Sequence, residues 1–199
     1  MQSIIKAISI SITSLFFICG AVEARPFMET VGAANPPLGH AEFCWQAPNE
    51  CSDRDSSPHP YPLSKSSWQA ILAVNATVNA EVLPLTDLQI WGREELWSYP
   101  QGVGDCEDYV LEKRRRLQAM GVPASALLIT VVLQPNGDGH AVLTVRTDRG
   151  DIVLDNLNDR VLPWQQTDYT FLKLQSPQNS AHWELVNDDR AMTVGAVSR

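Results

Sequence analysis

Nucleophilic catalysis by a thiol needs three things: a cysteine that can ionise, a base that takes and returns its proton, and a group that orients the base. The chain offers one residue of each type in a suggestive order, at Cys106, His140 and Asp155. Cys106 follows Gly102-Val103-Gly104-Asp105 and opens a helical pattern that runs to Gly121, with Pro123 just beyond. Asp105 can act as its N-cap, and Lys113-Arg114-Arg115-Arg116 lie toward its negative end. A thiol in the first turn of a helix gains from the dipole and the free amides there, and its own N–H is placed to bind an oxyanion. His140 opens a strand after the turn Pro135-Asn136-Gly137-Asp138-Gly139, on the face that carries Val142 and Thr144. Asp155 ends the next strand and can fix the imidazole tautomer. A two-residue turn at Arg149-Gly150 would instead set Asp159 opposite His140, so spacing leaves the two aspartates open.

Elements that position these residues can be traced along the chain. Lys6 precedes an apolar stretch, Ala7 to Ala21, that ends in Ala21-Val22-Glu23-Ala24 and reads as a signal peptide over residues 1–24. Export predicts a periplasmic or secreted protein of 175 residues with three cysteines, in a compartment where disulfides persist. Cys44 and Cys51 are close enough in sequence to pair, with a contribution of about 2.5 kcal/mol in the chain-entropy account, which leaves Cys106 free. Residues 25–63 are interrupted by Pro36, Pro37, Pro48, Pro58, Pro60 and Pro62 and read as an irregular arm pinned by that bridge. A domain over 64–187 follows, then a tail over 188–199.

Within that domain Ser64 or Ser66 caps a helix with Trp68, Ile71, Leu72, Val78 and Val82 at helical spacing. The helix begun at Cys106 carries a stripe of Cys106, Val110, Leu117 and Met120, and Lys113, in the same line, is expected to snorkel. After it the period changes to strands at Ala126 to Leu133, His140 to Thr147 and Ile152 to Asp155, an antiparallel meander, with further strands at Tyr169 to Gln175 and His182 to Val186. Helices first and a sheet second predict an α+β fold. With 15 Lys+Arg against 23 Asp+Glu the chain lacks the basic footprint of a nucleic-acid binder.

Three segments carry a family resemblance. Gly104-Asp105-Cys106-Glu107-Asp108-Tyr109, Gly139-His140-Ala141-Val142-Leu143-Thr144-Val145-Arg146 and Val153-Leu154-Asp155-Asn156-Leu157 resemble, in order, the motifs of the bacterial transglutaminase-like cysteine proteinases. The resemblance implies a papain/transglutaminase-like core with Cys106 as nucleophile, His140 as base and Asp155, over Asp159, as orienting acid. It implies a calcium site at Asp105 and Glu107, because the acidic residues beside the nucleophile match those of calcium-dependent members. It further implies a protein substrate. The best-known members are periplasmic proteases that release surface adhesins under a cyclic-di-GMP-responsive inner-membrane receptor. Calcium also answers a local conflict: Asp105, Glu107 and Asp108 crowd negative charge around a thiol that must ionise. Acidic capping of the helix start is the alternative role for these residues. Acyl transfer to an amine uses the same triad as hydrolysis, and a non-catalytic binding module could keep the fold.

Overall fold

The computed structural model describes residues 26–190, so the expected signal peptide and most of the expected tail lie outside the described residues. In chain order the elements are β1 (Thr30–Ala34), α1 (Leu38–Gln46), α2 (Lys65–Glu81), β2 (Leu83–Pro84), α3 (Asp87–Trp91), β3 (Val103–Gly104), α4 (Cys106–Ala119), β4 (Leu127–Leu133), β5 (Gly139–Thr147), β6 (Gly150–Leu154), β7 (Leu162–Pro163), β8 (Thr170–Ser176) and β9 (Asn179–Val186). Seven strands form one antiparallel sheet in the order β1-β9-β8-β4-β5-β6-β7, and β2 pairs with β3 in parallel beside it. The apolar run that becomes β4 is a central strand, and the expected meander is β4-β5-β6. The chain then extends the sheet with β7 and crosses back to place β8 on the other side of β4.

Alternation along these strands feeds two cores. Leu127, Ile129, Leu143, Val145 and Leu154 pack with α2 and α4, while Leu128, Val132, Val142, Val153, Phe171 and Trp164 form a second cluster on the opposite face. Helix α2 starts where the sequence predicts, with Ser64 and Ser67 in a reciprocal capping box.

Two expectations are corrected. The Pro-rich arm contains β1, which pairs with β9 and widens the sheet, and α1, which buries Gly39, His40 and Phe43. Helix α1 has no apolar stripe to announce it, because its buried face joins a glycine and a histidine to a single large apolar side chain, Phe43. A Cβ at Gly39 would come within 2.3 Å of the Trp97 ring, and His40 sits edge-on to both Trp97 and Trp183. The expected bridge between Cys44 and Cys51 ties the end of α1 to the following turn. The second correction concerns Lys113, which does not snorkel: it is 0% exposed.

The β5–β6 turn decides which aspartate faces His140. Thr147 pairs with Gly150, so the two-residue loop is Asp148-Arg149, not Arg149-Gly150. Gly150 has φ of 117°, and a Cβ there would meet the Pro26 carbonyl oxygen at 2.6 Å, so glycine is required inside the strand end. The shift sets Leu154 opposite Leu143, and Asp155 emerges immediately beyond the ladder.

Candidate active site

Cys106 is the first residue of α4 and the free cysteine among the described residues. Its thiol donates to Glu107 Oε2 at 2.9 Å, and the Ala141 N–H of β5 is directed at the same sulfur. Burial pushes the thiol well above its ordinary range. The Glu107 and Asp105 carboxylates add to this, while the Ala141 amide works in the other direction. The sulfur thus lies against the start of β5, one residue from His140, and it is turned toward an acid instead of the imidazole.

His140 and Asp155 form a direct pair. Nε2 lies 2.8 Å from Asp155 Oδ1, and both side chains are almost fully buried. Asp155 also accepts from the Tyr169 hydroxyl at 2.6 Å and from the Leu157 amide at 3.0 Å. Burial alone would raise this carboxyl, but the hydrogen bonds from His140, Tyr169 and Leu157 outweigh it and hold the group below its ordinary value. With Nε2–H given to Asp155, Nδ1 of a neutral ring is left as the basic nitrogen. Asp159 is elsewhere: Asn79 Nδ2 bridges its carboxylate, at 2.8 Å, to the Asp155 carbonyl, at 2.9 Å. A cleft of about 270 Å³ opens at this point between Trp97, Glu95 and Pro37 on one side and Gly139, His140 and Lys173 on the other. Tyr169 is a contributor that periodicity in the sequence does not single out. It begins the predicted last-but-one strand and needs the crossover of β8 to reach Asp155.

Acidic residues gather at the start of α4, next to Cys106 in sequence. Carboxylate oxygens of Asp87, Asp105 and Asp108 lie within 4.8 Å of one another. Asp105 occupies the N-cap position but makes no capping hydrogen bond with its side chain. Asp108 accepts from the Ser98 amide at 2.9 Å, and a Cβ on Gly104 would come within 2.7 Å of its carboxylate, so this glycine lets the loop approach. Asp87 accepts from the Leu96 amide. Asp87 Oδ1 and Asp105 Oδ1 are buried without a partner. Burial, then Glu107 and Asp87, pushes Asp105 up to about 8; burial, then Asp105 and Asp87, pushes Asp108 up to about 7. Burial likewise raises Asp87. Of the two residues expected to hold a metal, Asp105 belongs to this trio, while Glu107 is committed to the Cys106 thiol and to Asp105. Asp87 was not foreseen, because nothing in the spacing from 87 to 105 links the two. The Gly102 and Gly104 carbonyls accept from Leu83 and Leu85 in the β2–β3 pair.

With this geometry in view, the chain can be set beside known proteins. The profile of the bacterial transglutaminase-like cysteine proteinases matches residues 30–191, arm included. No curated protein is similar enough to count as a relative. Among solved structures, LapG of Legionella pneumophila is similar in three forms. The calcium-bound form has 27% identity and a TM-score of 0.49 over 54% of this chain and 64% of LapG. A second LapG structure has 24% identity and a TM-score of 0.51, over 63% of this chain and 72% of the other. The EGTA-treated form has 26% identity and a TM-score of 0.50, over 63% and 73%. The chain therefore spans less than two thirds of the calcium-bound LapG chain and about three quarters of the others.

Proposed function

The chain belongs to the bacterial transglutaminase-like cysteine proteinases, and on that premise we propose that it is an exported cysteine peptidase that cleaves a protein substrate through an acyl-enzyme. The observation that carries this reading is the 2.8 Å His140–Asp155 pair at the end of the sheet, beside a thiol that starts a helix. In the first step the thiol leaves Glu107, and His140 Nδ1 takes its proton. The thiolate attacks the scissile carbonyl carbon, and the carbonyl oxygen becomes an oxyanion that accepts from the Cys106 amide. His140 returns its proton to the leaving amine as the C–N bond breaks. A water, deprotonated by the same ring, then hydrolyses the thioester. Asp155 remains ionised throughout and holds the Nε2–H tautomer.

The acidic trio suits a hard cation, since the carboxylates of buried Asp87 and Asp108 and half-buried Asp105 offer two oxygens without partners and, among the described residues, carry no ion pair. Asp87, Asp105 and Asp108 are the residues that would hold calcium, the ion named for LapG of Legionella pneumophila. Glu107 stands next to them as the acid the resemblance adds. Bound calcium supplies the positive charge that offsets these carboxylates beside the nucleophile.

A periplasmic location is supported by the signal-like residues 1–24 and the Cys44–Cys51 bridge. No helix among the described residues is long and apolar enough to cross a membrane. The resemblance suggests a surface adhesin as substrate and an inner-membrane receptor as regulator. The test is to incubate the mature protein and its Cys106→Ala form with exported proteins of its source, in calcium, and compare fragments by mass spectrometry. Fragments that depend on Cys106 are expected. Their absence overturns the peptidase reading, and incorporation of a labelled amine without fragments replaces it with acyl transfer.

A further inference from the structure

The catalytic pair borders two clefts. His140 lines the one beside Trp97, and Asp155 lines a second, of about 340 Å³, together with Gln134, Leu157, Arg160, Asp168 and Tyr169. A carboxylate at the edge of a cleft has acceptor positions that water can fill, yet Asp155 is only 3% exposed. Tyr169 takes that place. Its hydroxyl donates to Oδ2 at 2.6 Å, while Oδ1 accepts from His140 and from the Leu157 amide. Among the described residues it is the only side chain besides His140 that donates to this carboxylate. The same residue also touches the base, because its ring lies against the imidazole with centroids 5.5 Å apart and planes at 57°. Tyr169 immediately precedes β8, which lies across β4 from β5 and β6. Both contacts therefore depend on the crossover and not on the β5–β6 hairpin that brings His140 and Asp155 together.

We propose that Tyr169 is a positioning residue for the catalytic pair: its hydroxyl fixes the rotation of the Asp155 carboxylate so that Oδ1 faces His140 Nε2, and its ring braces the plane of the imidazole. One side chain thus holds both the base and the acid that orients it. Burial, then the Asp155 carboxylate, raises the phenol, so the proton stays on Tyr169 and the donation runs one way. Burial would raise Asp155 too, and the Tyr169 bond is one of three that hold it below its ordinary value. Other titratable groups surround the pair without bonding it. Glu95, Glu107 and Lys173 share the first cleft with His140, Arg160 and Asp168 share the second with Asp155, and α4 contributes buried Lys113. The inference rests on the reading of His140 and Asp155 as a peptidase pair.

Tyr169→Phe removes the hydroxyl and keeps the ring, whereas Tyr169→Leu removes both. In Tyr169→Phe the Asp155 midpoint, followed by NMR of its ¹³Cγ signal, rises by about one unit, as loss of a hydrogen bond to a charged group requires. Turnover is read on a purified exported protein of the source that yields Cys106-dependent fragments. There kcat falls about tenfold with KM unchanged, and Tyr169→Leu loses more. In an Asp155→Asn background Tyr169→Phe costs nothing further, because the hydroxyl acts through the carboxylate. A merely structural role leaves the midpoint unmoved and gives losses that add. An unmoved midpoint, a moved midpoint with kcat unchanged, or a loss that persists in Asp155→Asn overturns the proposal, and equal losses in the two variants overturn the part assigned to the ring. If no fragments depend on Cys106 while the midpoint rises in Tyr169→Phe, the peptidase reading fails and the coupling of Tyr169 to Asp155 stands.

Discussion

Asp155 takes three donors at once, from His140, Tyr169 and Leu157, and its oxygens therefore decide which ring nitrogen of His140 carries the proton. In Asp155→Asn the amide N–H can face Nε2 and force the proton onto Nδ1, where it blocks the base. Turnover should drop about a thousand- to ten-thousand-fold with the fold intact, which steady-state kinetics and circular dichroism together check. Asp159→Asn should stay within about threefold of the parent, since that carboxylate is bound to Asn79 and does not touch the ring. A larger loss from Asp159 than from Asp155 would reverse the assignment. Cys106 can be checked independently. Without prior reduction, an alkylating agent should label Cys106 and leave Cys44 and Cys51 unmodified, as mapped by mass spectrometry.

Helix α1 makes a prediction of its own through His40. Burial, helped by the Arg114 charge, lowers this imidazole from 6.5 to about 4. Trp183 Nε1 donates to its Nδ1 at 3.2 Å, and a protonated ring could not accept that bond. The folded state thus binds fewer protons here than the unfolded chain. Its contribution is complete above pH 6.5 and is lost as pH falls toward 4, a change of about 3 kcal/mol. Denaturant unfolding between pH 7 and 4 should show this slope in the parent, and a His40→Gln variant should flatten it; equal slopes would remove His40 from the account. The same helix marks where the sequence was readable and where it was not. Helices α2 and α4 and strands β4, β5, β6, β8 and β9 announce themselves by start and stop residues and by period 3.6 or 2, though α4 also buries Asp108, Glu112, Lys113 and Arg114, which no such pattern predicts. Helix α1 buries glycine and histidine against tryptophans that arrive from residues 97 and 183, a pattern that exists only once the sheet has formed. Asp155 could be separated from Asp159 only through the three-segment resemblance, because the deciding fact, Gly150 against the Pro26 carbonyl, joins residues far apart in sequence. Lys113 shows the converse failure, in which the local rule that a charged residue at a helix face snorkels to water does not hold, and the side chain is fully buried with no hydrogen-bond partner for its Nζ.

At the scale of the whole molecule, the proposed calcium site would make the acidic trio a staple between segments. Asp87 comes from α3, Asp105 from the N-cap of α4 and Asp108 from its first turn, and the paired strands β2 and β3 lead into α3 and α4 respectively. The cluster thus joins α3 to the start of α4, where Cys106 sits, and filling it would hold these two segments together. A ligand that binds only the folded state stabilises it by about 2.7 kcal/mol at a hundred times its Kd. For a chain of this size that corresponds to a rise in Tm of roughly 5–10 °C. Calcium titrated into chelator-treated protein should therefore raise Tm by that order and restore cleavage, while magnesium, which holds its own water tightly, should do less. The variants discriminate between sets of ligands. Asp87→Asn and Asp108→Asn should abolish the calcium-dependent rise, because each removes a buried carboxylate from the trio. Glu107→Gln should keep most of the rise yet change turnover, because Glu107 faces the Cys106 thiol. If Glu107→Gln loses the rise and Asp87→Asn keeps it, the calcium ligands are Asp105 and Glu107, and Asp87 serves only to cap the Leu96 amide. A Tm indifferent to calcium and to chelator in the parent protein would leave the trio as three carboxylates protonated by burial, with no ion to hold.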